Sequence, residues 1–299
     1  MRSYTYYPGC SSEATATGLD LSAKAIANPL DIELVELEDW TCCGSTPYGS
    51  LDRSESVVVA ARNLALAEKT GLDLVTPCSS CFITLYGANL QLKENAQLMG
   101  QVSEALSVVG LEYHGSVRVR HLTEALITDV TPEAIASKIQ DGLNGLKVAP
   151  YYGCQLVRPD YGFDDPESPQ SLDSLVTSLG GEAVPYPLKN RCCGGSLIIS
   201  EEDLALGLIR KLLDNAAENG AQCIITPCPL CHINLDAYQS RVNSKFRTSF
   251  KLPVLFVTQL IGLALGIDAK SLGLDRSVVS PGPVLDHIYR VKQEVASGT

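Results

Sequence analysis

The sequence has 299 residues, of which 45 % are hydrophobic and 19 % charged, so it can bury a substantial core and is not expected to be disordered. Its formal net charge of −11, without any cluster of Lys and Arg, argues against binding to nucleic acid or to an anionic membrane surface. No segment has the ~18–20 uninterrupted apolar residues of a membrane span. We therefore expect a cytoplasmic protein with no membrane span.

The first half of the sequence alternates short apolar runs with helical patterns. Strands are predicted at residues 3–7, 33–37 and 73–76, and helices at residues 15–27, 54–69 and 82–92. A connector at residues 112–140 is predicted to carry one helix over residues 120–126 and another over residues 133–140. The second connector helix starts at Thr131-Pro132, which is typical of an N-cap followed by proline in the first turn.

The second half repeats this layout. Strands are predicted at residues 147–152, 182–185 and 223–226, and helices at residues 171–179, 202–219 and 232–242; residues 252–267 are predicted to form a buried strand that runs into a helix. The alternation indicates an α/β protein of two tandem pseudo-symmetric cysteine-rich domains, each a small parallel sheet with flanking helices. We expect the domains to span residues 1–145, connector included, and 146–299.

Ten of the eleven cysteines fall into two matching sets of five. The sets are Cys10, Cys42, Cys43, Cys78 and Cys81, and then Cys154, Cys192, Cys193, Cys228 and Cys231. The adjacent pair is followed by glycine in both sets, the last two cysteines stand in Thr-Pro-Cys-x-x-Cys, and the spacing between these motifs is identical, which identifies an internal repeat. Every repeated cysteine follows a predicted strand, and parallel sheets form their sites at the carboxyl ends of strands. The pattern therefore predicts that each set meets at one place.

Five thiolates per half favour an iron–sulfur cluster of unusual ligation. Soft thiolates select zinc, copper(I) or iron–sulfur clusters, and four of them already satisfy tetrahedral zinc. Adjacent cysteines suit a cluster, in which neighbouring thiolates reach different irons, and the CxxCxxC run of a cubane ferredoxin is absent. Structural zinc and redox-active disulfides within the adjacent pairs remain as alternatives.

The duplicated Cys-Cys-Gly and Pro-Cys-x-x-Cys motifs, each set preceded by a lone cysteine, resemble the family of B-type subunits of heterodisulfide reductase over nearly the whole chain. This resemblance implies two non-cubane 4Fe–4S clusters near the interface of the halves, each held by one set of five cysteines. It also implies reduction of a disulfide, which is the mixed disulfide of coenzyme M and coenzyme B in methanogens, or the reverse oxidation of thiols. The implied partners are a small ferredoxin-like subunit with ordinary 4Fe–4S clusters and a flavin-containing subunit.

Two other functions remain open from the sequence. Similar Cys-Cys-Gly modules occur in electron-transfer subunits of succinate dehydrogenase-like or fumarate reductase-like complexes and of other flavin-linked or quinone-linked complexes. A zinc-stabilised assembly module is the third hypothesis. The first two differ in whether a thiol contacts the cluster, and the third differs from both in the metal bound.

A few further residues have competing interpretations. Cys223 has no counterpart in the first half, where Asp73 stands at its place, and we expect a small buried residue at the start of a strand. His232 follows Cys231 and is either a proton donor to a product thiolate or a residue satisfied locally, whereas His121 is expected to be structural. Three cations near the second set either attract an anionic substrate or are solvated charges: Arg158, Lys189 and Arg191.

Overall fold

The computed structural model describes residues 1–45, 53–158 and 160–297. The strands of these residues form two four-stranded sheets in which all neighbouring strands are parallel. The first sheet consists of β1 (Arg2–Tyr6), β2 (Ile32–Glu36), β3 (Leu74–Thr76) and β4 (Val119–His121), and the second of β5 (Lys147–Pro150), β6 (Glu182–Ala183), β7 (Cys223–Thr226) and β8 (Val254–Phe256).

Helices flank each sheet and connect its consecutive strands. The α-helices of the first half are α1 (Thr17–Ala27), α2 (Arg53–Glu68), α3 (Ser79–Glu94), α4 (Ala96–Ser107), α5 (Leu122–Ala125) and α6 (Pro132–Ala136). Those of the second half are α7 (Ser171–Ser178), α8 (Leu197–Ser200), α9 (Glu202–Glu218), α10 (Pro229–Ala237), α11 (Gln239–Phe246), α12 (Val257–Ala264) and α13 (Gly282–Ser297). None of the helices in the described ranges combines the length and the apolar character that crossing a bilayer requires.

The two sheets have the same strand order, β2-β1-β3-β4 and β6-β5-β7-β8. This order confirms the α/β prediction of two repeated parallel sheets with flanking helices. In each sheet the three strands that precede cysteine motifs lie side by side and point the same way, so their carboxyl ends meet at one edge. The domain boundary between residues 145 and 146 stays a prediction; it falls between β4 and β5.

The fourth strand of the first sheet corrects the predicted helix over residues 120–126. Val119–His121 pairs with β3, and the helix begins only at Leu122. The sequence does not indicate this strand, because a charged residue, Arg120, lies within it. Its side chain is only 3 % exposed, and it is neutralised there by ion pairs with Asp129 and Glu124. The strand and helix predicted within residues 252–267 are confirmed by β8 and α12.

Four helix boundaries also differ from the prediction by several residues. The helices after the CxxC turns begin at Ser79 and Pro229, directly after the first cysteine of each turn, and not at residues 82 and 232. The helix predicted over residues 232–242 is divided at Tyr238, because the side chain of Gln239 bonds both the carbonyl and the N–H of Leu252. The second connector helix ends early, at residue 136, although Thr131 caps it as predicted. Helices α4, α8 and α13 were not predicted.

The two halves share one hydrophobic core. Helix α1 of the first half packs against α12 of the second, where the hydroxyl oxygens of Ser22 and Thr258 are 2.6 Å apart. Gly18 allows this approach, since a side-chain carbon there would lie 2.9 Å from the amide nitrogen of Gln259 and 3.0 Å from the carbonyl oxygen of Gly273. At the same junction, α6 of the first half packs against α7 of the second. The sites of the two halves are therefore held in a fixed relation.

Candidate metal centres

The structure places each set of five cysteines at the carboxyl edge of its sheet. Cys10 follows β1 at the start of a short 3-10 helix, and the pair Cys42–Cys43 lies in the loop after β2. Cys78 is the N-cap of α3, and Cys81 lies in the first turn of that helix. Their counterparts Cys154, Cys192, Cys193, Cys228 and Cys231 take the same places after β5, β6 and β7.

The first set forms a continuous group of thiols. Hydrogen bonds from the thiols of Cys42 and Cys81 lower the pKa of Cys43 to about 3, although burial opposes this. Cys81 in turn contacts Cys78, and these two hydrogen-bonded neighbours together with burial raise the pKa of Cys81. Cys10 lies close enough to Cys42 for its charge to raise the pKa of Cys42 further, after the hydrogen bond with Cys43 and burial. All five sulfurs therefore share one electrostatic environment.

The second set is arranged in the same way. The Sγ atoms of Cys193 and Cys231 are 3.5 Å apart. A hydrogen bond from Cys154 lowers the pKa of Cys192 to about 6, and Cys154 is also within electrostatic range of Cys193 and Cys228. A hydrogen bond from Cys231 lowers the pKa of Cys228 to about 7 against the effect of burial. The structure thus brings together both predicted quintets, while their assignment as ligands stays a prediction.

Backbone N–H groups point at the adjacent cysteines in both halves. Gly194 donates to the Sγ of Cys192 over 3.3 Å, and Gly195 donates to the Sγ of Cys193 over 3.4 Å. The N–H groups of Gly44 and Ser45 donate hydrogen bonds to Cys42 and Cys43 in the same manner. Such N–H···S bonds stabilise thiolates, and they tune the potential of a metal that the thiolates hold.

One glycine in each half keeps the edge of its site clear of side chains. A side-chain carbon on Gly9 would lie 2.9 Å from the Sγ of Cys81, and one on Gly153 would lie 3.1 Å from the Sγ of Cys231. Both glycines have positive φ angles, of 78° and 69°. The first loop of each half therefore passes so close to the CxxC sulfur, and with such a backbone conformation, that glycine is required at this position.

A buried tyrosine ties the first loop of each half to the loop of the cysteine pair. The hydroxyl of Tyr7 donates to the carbonyl of Thr41 over 2.6 Å, and the hydroxyl of Tyr151 donates to the carbonyl of Arg191 over 2.7 Å. Burial, and then the charges of nearby cysteines, raise the pKa of both tyrosines, which therefore stay neutral donors. The repeated Tyr-Tyr before Cys10 and Cys154 was the sequence signal for this role.

Each site is buried on its CxxC side and open on the other. Cys10 and Cys192 are exposed, Cys42 and Cys154 are half-buried, and the other six repeated cysteines are buried. An open cavity of about 860 Å³ lies beside Cys10 and Cys42. Its other lining residues include four acids and an indole, namely Glu13, Glu36, Glu38, Asp39 and Trp40. A partner or a small molecule can therefore approach the outer thiols without unfolding the loops.

The two sites adjoin at the junction of the halves. The hydroxyl of Ser80, which lies between Cys78 and Cys81, donates to the side-chain oxygen of Gln155 over 2.7 Å. Gln155 directly follows Cys154, so one hydrogen bond joins the CxxC turn of the first half to the first loop of the second half.

The remaining sequence candidates have local partners. Cys223 is fully buried at the start of β7, where burial raises its pKa to about 12, and its predicted place at a strand start is confirmed. His232 donates from Nε2 to the carbonyl of Val254 over 3.0 Å and stacks on Phe256. Its role as a proton donor stays a prediction. His121 is fully buried at the end of β4.

The three cations near the second set differ in their surroundings. Lys189 pairs with Asp173 at 3.0 Å, and Arg158 pairs with Glu167 at 2.7 Å. Arg191 is exposed and directly precedes Cys192. The charges of Lys189 and Arg158 are therefore already balanced within the chain.

The donors present fit an iron–sulfur group. Among the residues that the structure describes, no three side chains of His, Cys, Asp or Glu are placed to hold a single metal ion. Each half instead offers five soft sulfur donors, backbone N–H groups directed at two of them, and an edge kept free by a glycine. These are the features that bind and tune an iron–sulfur cluster.

The repeated fold and its two cysteine quintets define a duplicated cysteine-rich domain protein. The family model of the CCG cysteine-rich domain matches residues 4–86 and 148–236. A Wolinella succinogenes protein named 8-methylmenaquinol:fumarate reductase membrane anchor subunit is 37 % identical over 280 residues, which cover 93 % of this chain and 97 % of that protein. A Methanosarcina mazei protein, named as the B-type subunit of ferredoxin:CoB-CoM heterodisulfide reductase, is 33 % identical over 296 residues, covering 97 % of this chain and 98 % of that protein.

The chain belongs to the duplicated CCG proteins of the heterodisulfide reductase family, in its B-type branch, which confirms the resemblance found in its motifs. It is an iron–sulfur electron-transfer subunit of the oxidoreductase class. The crystal structure of a hypothetical protein from Helicobacter pylori has the same fold, with a TM-score of 0.78 at 17 % identity over 93 % of this chain. The chain spans about half the length of that protein, 52 %.

Proposed function

We propose that the chain is the catalytic iron–sulfur subunit of a complex that reduces a disulfide or, in reverse, oxidises two thiols. Each quintet holds one non-cubane 4Fe–4S cluster: Cys10, Cys42, Cys43, Cys78 and Cys81 the first, and Cys154, Cys192, Cys193, Cys228 and Cys231 the second. The observation that carries the proposal is the adjacency of two five-thiol sites, each open on its outer side.

The reaction explains why two adjoining sites are useful. Cleavage of a disulfide consumes two electrons and two protons and yields two thiols, and a cluster bound at each site would supply one of the electrons. The residues of the chain position the sites: Ser80 and Gln155 join them across the halves, and Tyr7 and Tyr151 fix the loops that carry the outer thiols. The exposed Cys10 and Cys192 mark the side from which the substrate sulfurs enter.

We further propose that the electrons come from partner subunits in the cytoplasm. The chain lacks the CxxCxxC run of a cubane cluster, so a small ferredoxin-like subunit with ordinary 4Fe–4S clusters and a flavin-containing subunit complete the path. A reducing compartment keeps ten clustered thiols available for metal and out of disulfides.

A second candidate is favoured by the 37 % identity to the Wolinella fumarate reductase subunit. In this case the same two clusters carry electrons within a quinone-linked or flavin-linked complex, and no thiol contacts them. Both candidates use the same ten cysteines. They differ in the molecule that binds at the open side of the sites.

Metal analysis and paramagnetic resonance of the purified protein test these proposals. Iron and acid-labile sulfide in a ratio near one, without zinc, are expected for both candidates. Zinc without sulfide would exclude both and support the hypothesis of a zinc-stabilised assembly module. Under oxidising conditions, a new resonance signal on addition of a thiol supports disulfide chemistry. Unchanged spectra with thiol, together with quinone-linked turnover of the complex, would assign the chain to the second candidate.

A further inference from the structure

Asn234 is a buried amide that reaches the loop of the second cysteine pair. It lies on α10, three residues after Cys231, and only 1 % of its surface is exposed. Its Nδ2 donates to the carbonyl of Gly195 over 2.9 Å, and it lies 3.3 Å from the carbonyl oxygen and 3.5 Å from the Sγ of Cys193. Because two carbonyl oxygens surround this atom, it must be the nitrogen of the amide, and the orientation of the side chain is fixed.

The sulfur of Cys193 has two N–H donors in this arrangement. Gly195 donates its backbone N–H to the Sγ over 3.4 Å, and the carbonyl of the same residue accepts the bond from Asn234. Gly194 and Gly195 both have positive φ angles, of 97° and 52°, so this stretch has the conformational freedom of two glycines. The hydrogen bond from α10 restricts that freedom. Asn234 therefore donates to the sulfur directly and also positions the backbone donor.

The first half holds its cysteine loop with a different asparagine. Asn63 lies on α2 and is fully buried. Its Oδ1 accepts the N–H of Thr41 over 2.8 Å, and its Nδ2 donates to the carbonyl of Cys42 over 3.4 Å. These bonds hold the start of the cysteine pair and reach backbone atoms. Asn234 instead holds the residues after the pair and reaches a sulfur.

Each of these asparagines is replaced in the other half. The cysteine pairs and the CxxC motifs of the two halves are separated by the same offset of 150 positions. This offset places Thr84 at the position of Asn234, and the hydroxyl of Thr84 donates to the carbonyl of Ser80 in its own helix over 2.8 Å. It places Leu213, a fully buried apolar residue, at the position of Asn63. Equivalent thiols in the two halves therefore have different amide contacts.

We propose that Asn234 is a positioning residue of the second site and that its amide raises the reduction potential of the cluster held there. This inference rests on the proposed function, in which each quintet holds a cluster. Reduction adds negative charge that is shared by the thiolate sulfurs, so an N–H group directed at one of them stabilises the reduced form. The hydroxyl proton of Thr84, at the equivalent place in the first half, is bonded within its own helix and is not available to the first cluster.

Redox titration of the whole protein, followed by paramagnetic resonance, tests the proposal. Cys10→Ser and Cys154→Ser variants assign the signals to the first and the second cluster. In Asn234→Thr, which copies the first half, the ratio of reduced to oxidised second cluster at a fixed potential is expected to fall about tenfold, which is roughly 59 mV for a one-electron couple. Asn234→Leu keeps the volume of the side chain without its donor and is expected to give the same loss. The first cluster is expected to stay unchanged in both variants.

Asn63→Leu is the matched control, since it removes the buried amide of the first half and copies Leu213 of the second. The bonds of Asn63 go to backbone atoms, so this variant is expected to lower the free energy of unfolding and to leave both potentials unchanged. If Asn234→Leu likewise loses stability without any change in potential, both asparagines have a structural role only and the proposal is overturned.

The outcomes separate this inference from the proposed function. Protein without iron and sulfide would overturn both. Protein with full iron content in which the Asn234 variants leave the second potential unchanged, or lower that of the first cluster, overturns only the inference. If both variants lose iron from the second site, pulsed resonance of Cys10→Ser protein, isotopically labelled at the side-chain nitrogen of asparagine, decides. Coupling of that nitrogen to the second cluster supports the proposal, and its absence overturns it.

Discussion

Gly9 and Cys81 approach so closely that a side-chain carbon on the glycine would lie 2.9 Å from the sulfur of the cysteine. The corresponding distance from Gly153 to Cys231 is 3.1 Å. Because the cysteine sulfur is buried and its helix is fixed by the core, it has little room to move away. These two glycines therefore define how much space a metal group has next to the CxxC sulfurs.

Gly153→Ala is expected to lower the iron content of the purified protein to about half, through loss of the second cluster. The added methyl group costs roughly 1–2 kcal/mol because of its positive φ, and it also crowds Cys231. Gly71→Ala is the control, because Gly71 has the same φ of 69° with nothing within 4 Å of the added carbon. Full iron content in Gly153→Ala, measured by colorimetric iron and sulfide analysis, would contradict the role of this glycine.

Cys193→Ser is expected to remove one cluster and leave the other. Cys193 is buried and only 3.5 Å from Cys231, and a serine oxygen is a poor substitute for a soft thiolate. Cys223→Ala is the matched control: it deletes another buried cysteine of the same half and is expected to cost about 1–2 kcal/mol of stability while iron content is kept. Survival of both clusters in Cys193→Ser would mean that the ligand assignment is wrong.

Arg120→Met is expected to destabilise the protein by about 3–5 kcal/mol, because it leaves Asp129 and Glu124 without their buried cation. Arg118→Met is the control from the same strand region. The Arg118 side chain is 64 % exposed, and its acids lie 3.7 and 3.9 Å away, so we expect a loss within about 0.5 kcal/mol. Unfolding in urea measures both values, and equal losses would refute the buried-pair explanation.

His232→Phe tests both stability and proton transfer. Burial lowers the pKa of His232, so as pH falls below about 6.5 the unfolded chain takes up a proton that the folded chain refuses, and this lowers the stability of the wild type. The variant loses one hydrogen bond to Val254, about 1 kcal/mol, but escapes this penalty. We therefore expect the deficit of the variant in urea unfolding to shrink between about pH 7.5 and about pH 5.5.

The pH–rate profile of the same variant addresses the proton-donor role predicted for His232. If the variant lacks one of the pH-dependent limbs that the profile of the wild type shows, the result supports that role. An unchanged profile excludes it and leaves His232 as a structural residue that packs on Phe256.

The repeat made most of the fold predictable. The short apolar runs before the repeated motifs located β1 to β3 and β5 to β7, and their parallel direction followed from the helices between them. Strand β4 was missed because a charged residue such as Arg120 is not expected within a buried strand. In the structure, two carboxylates allow that charge to be buried. The break at Tyr238 was missed because it depends on Gln239 meeting Leu252, a contact across 13 residues that spacing does not reveal.

The grouping of the cysteines was likewise accessible from the sequence, since strand ends of a parallel sheet share an edge. The contact of Ser80 with Gln155 was not, because it depends on how the two halves pack. Neighbours in sequence place Ser80 in the first site, between Cys78 and Cys81, and only the packing of the halves brings its hydroxyl to the first loop of the second half.

The packing of α1 on α12 and of α7 on α6 has one pattern: in each pair the helix that follows the first strand of one sheet contacts a helix that follows the fourth strand of the other sheet. A chain with a single copy of the domain would carry both members of this contact on one surface and would be self-complementary. Such a surface favours a symmetric homodimer, in which this interface forms between two chains instead of within one.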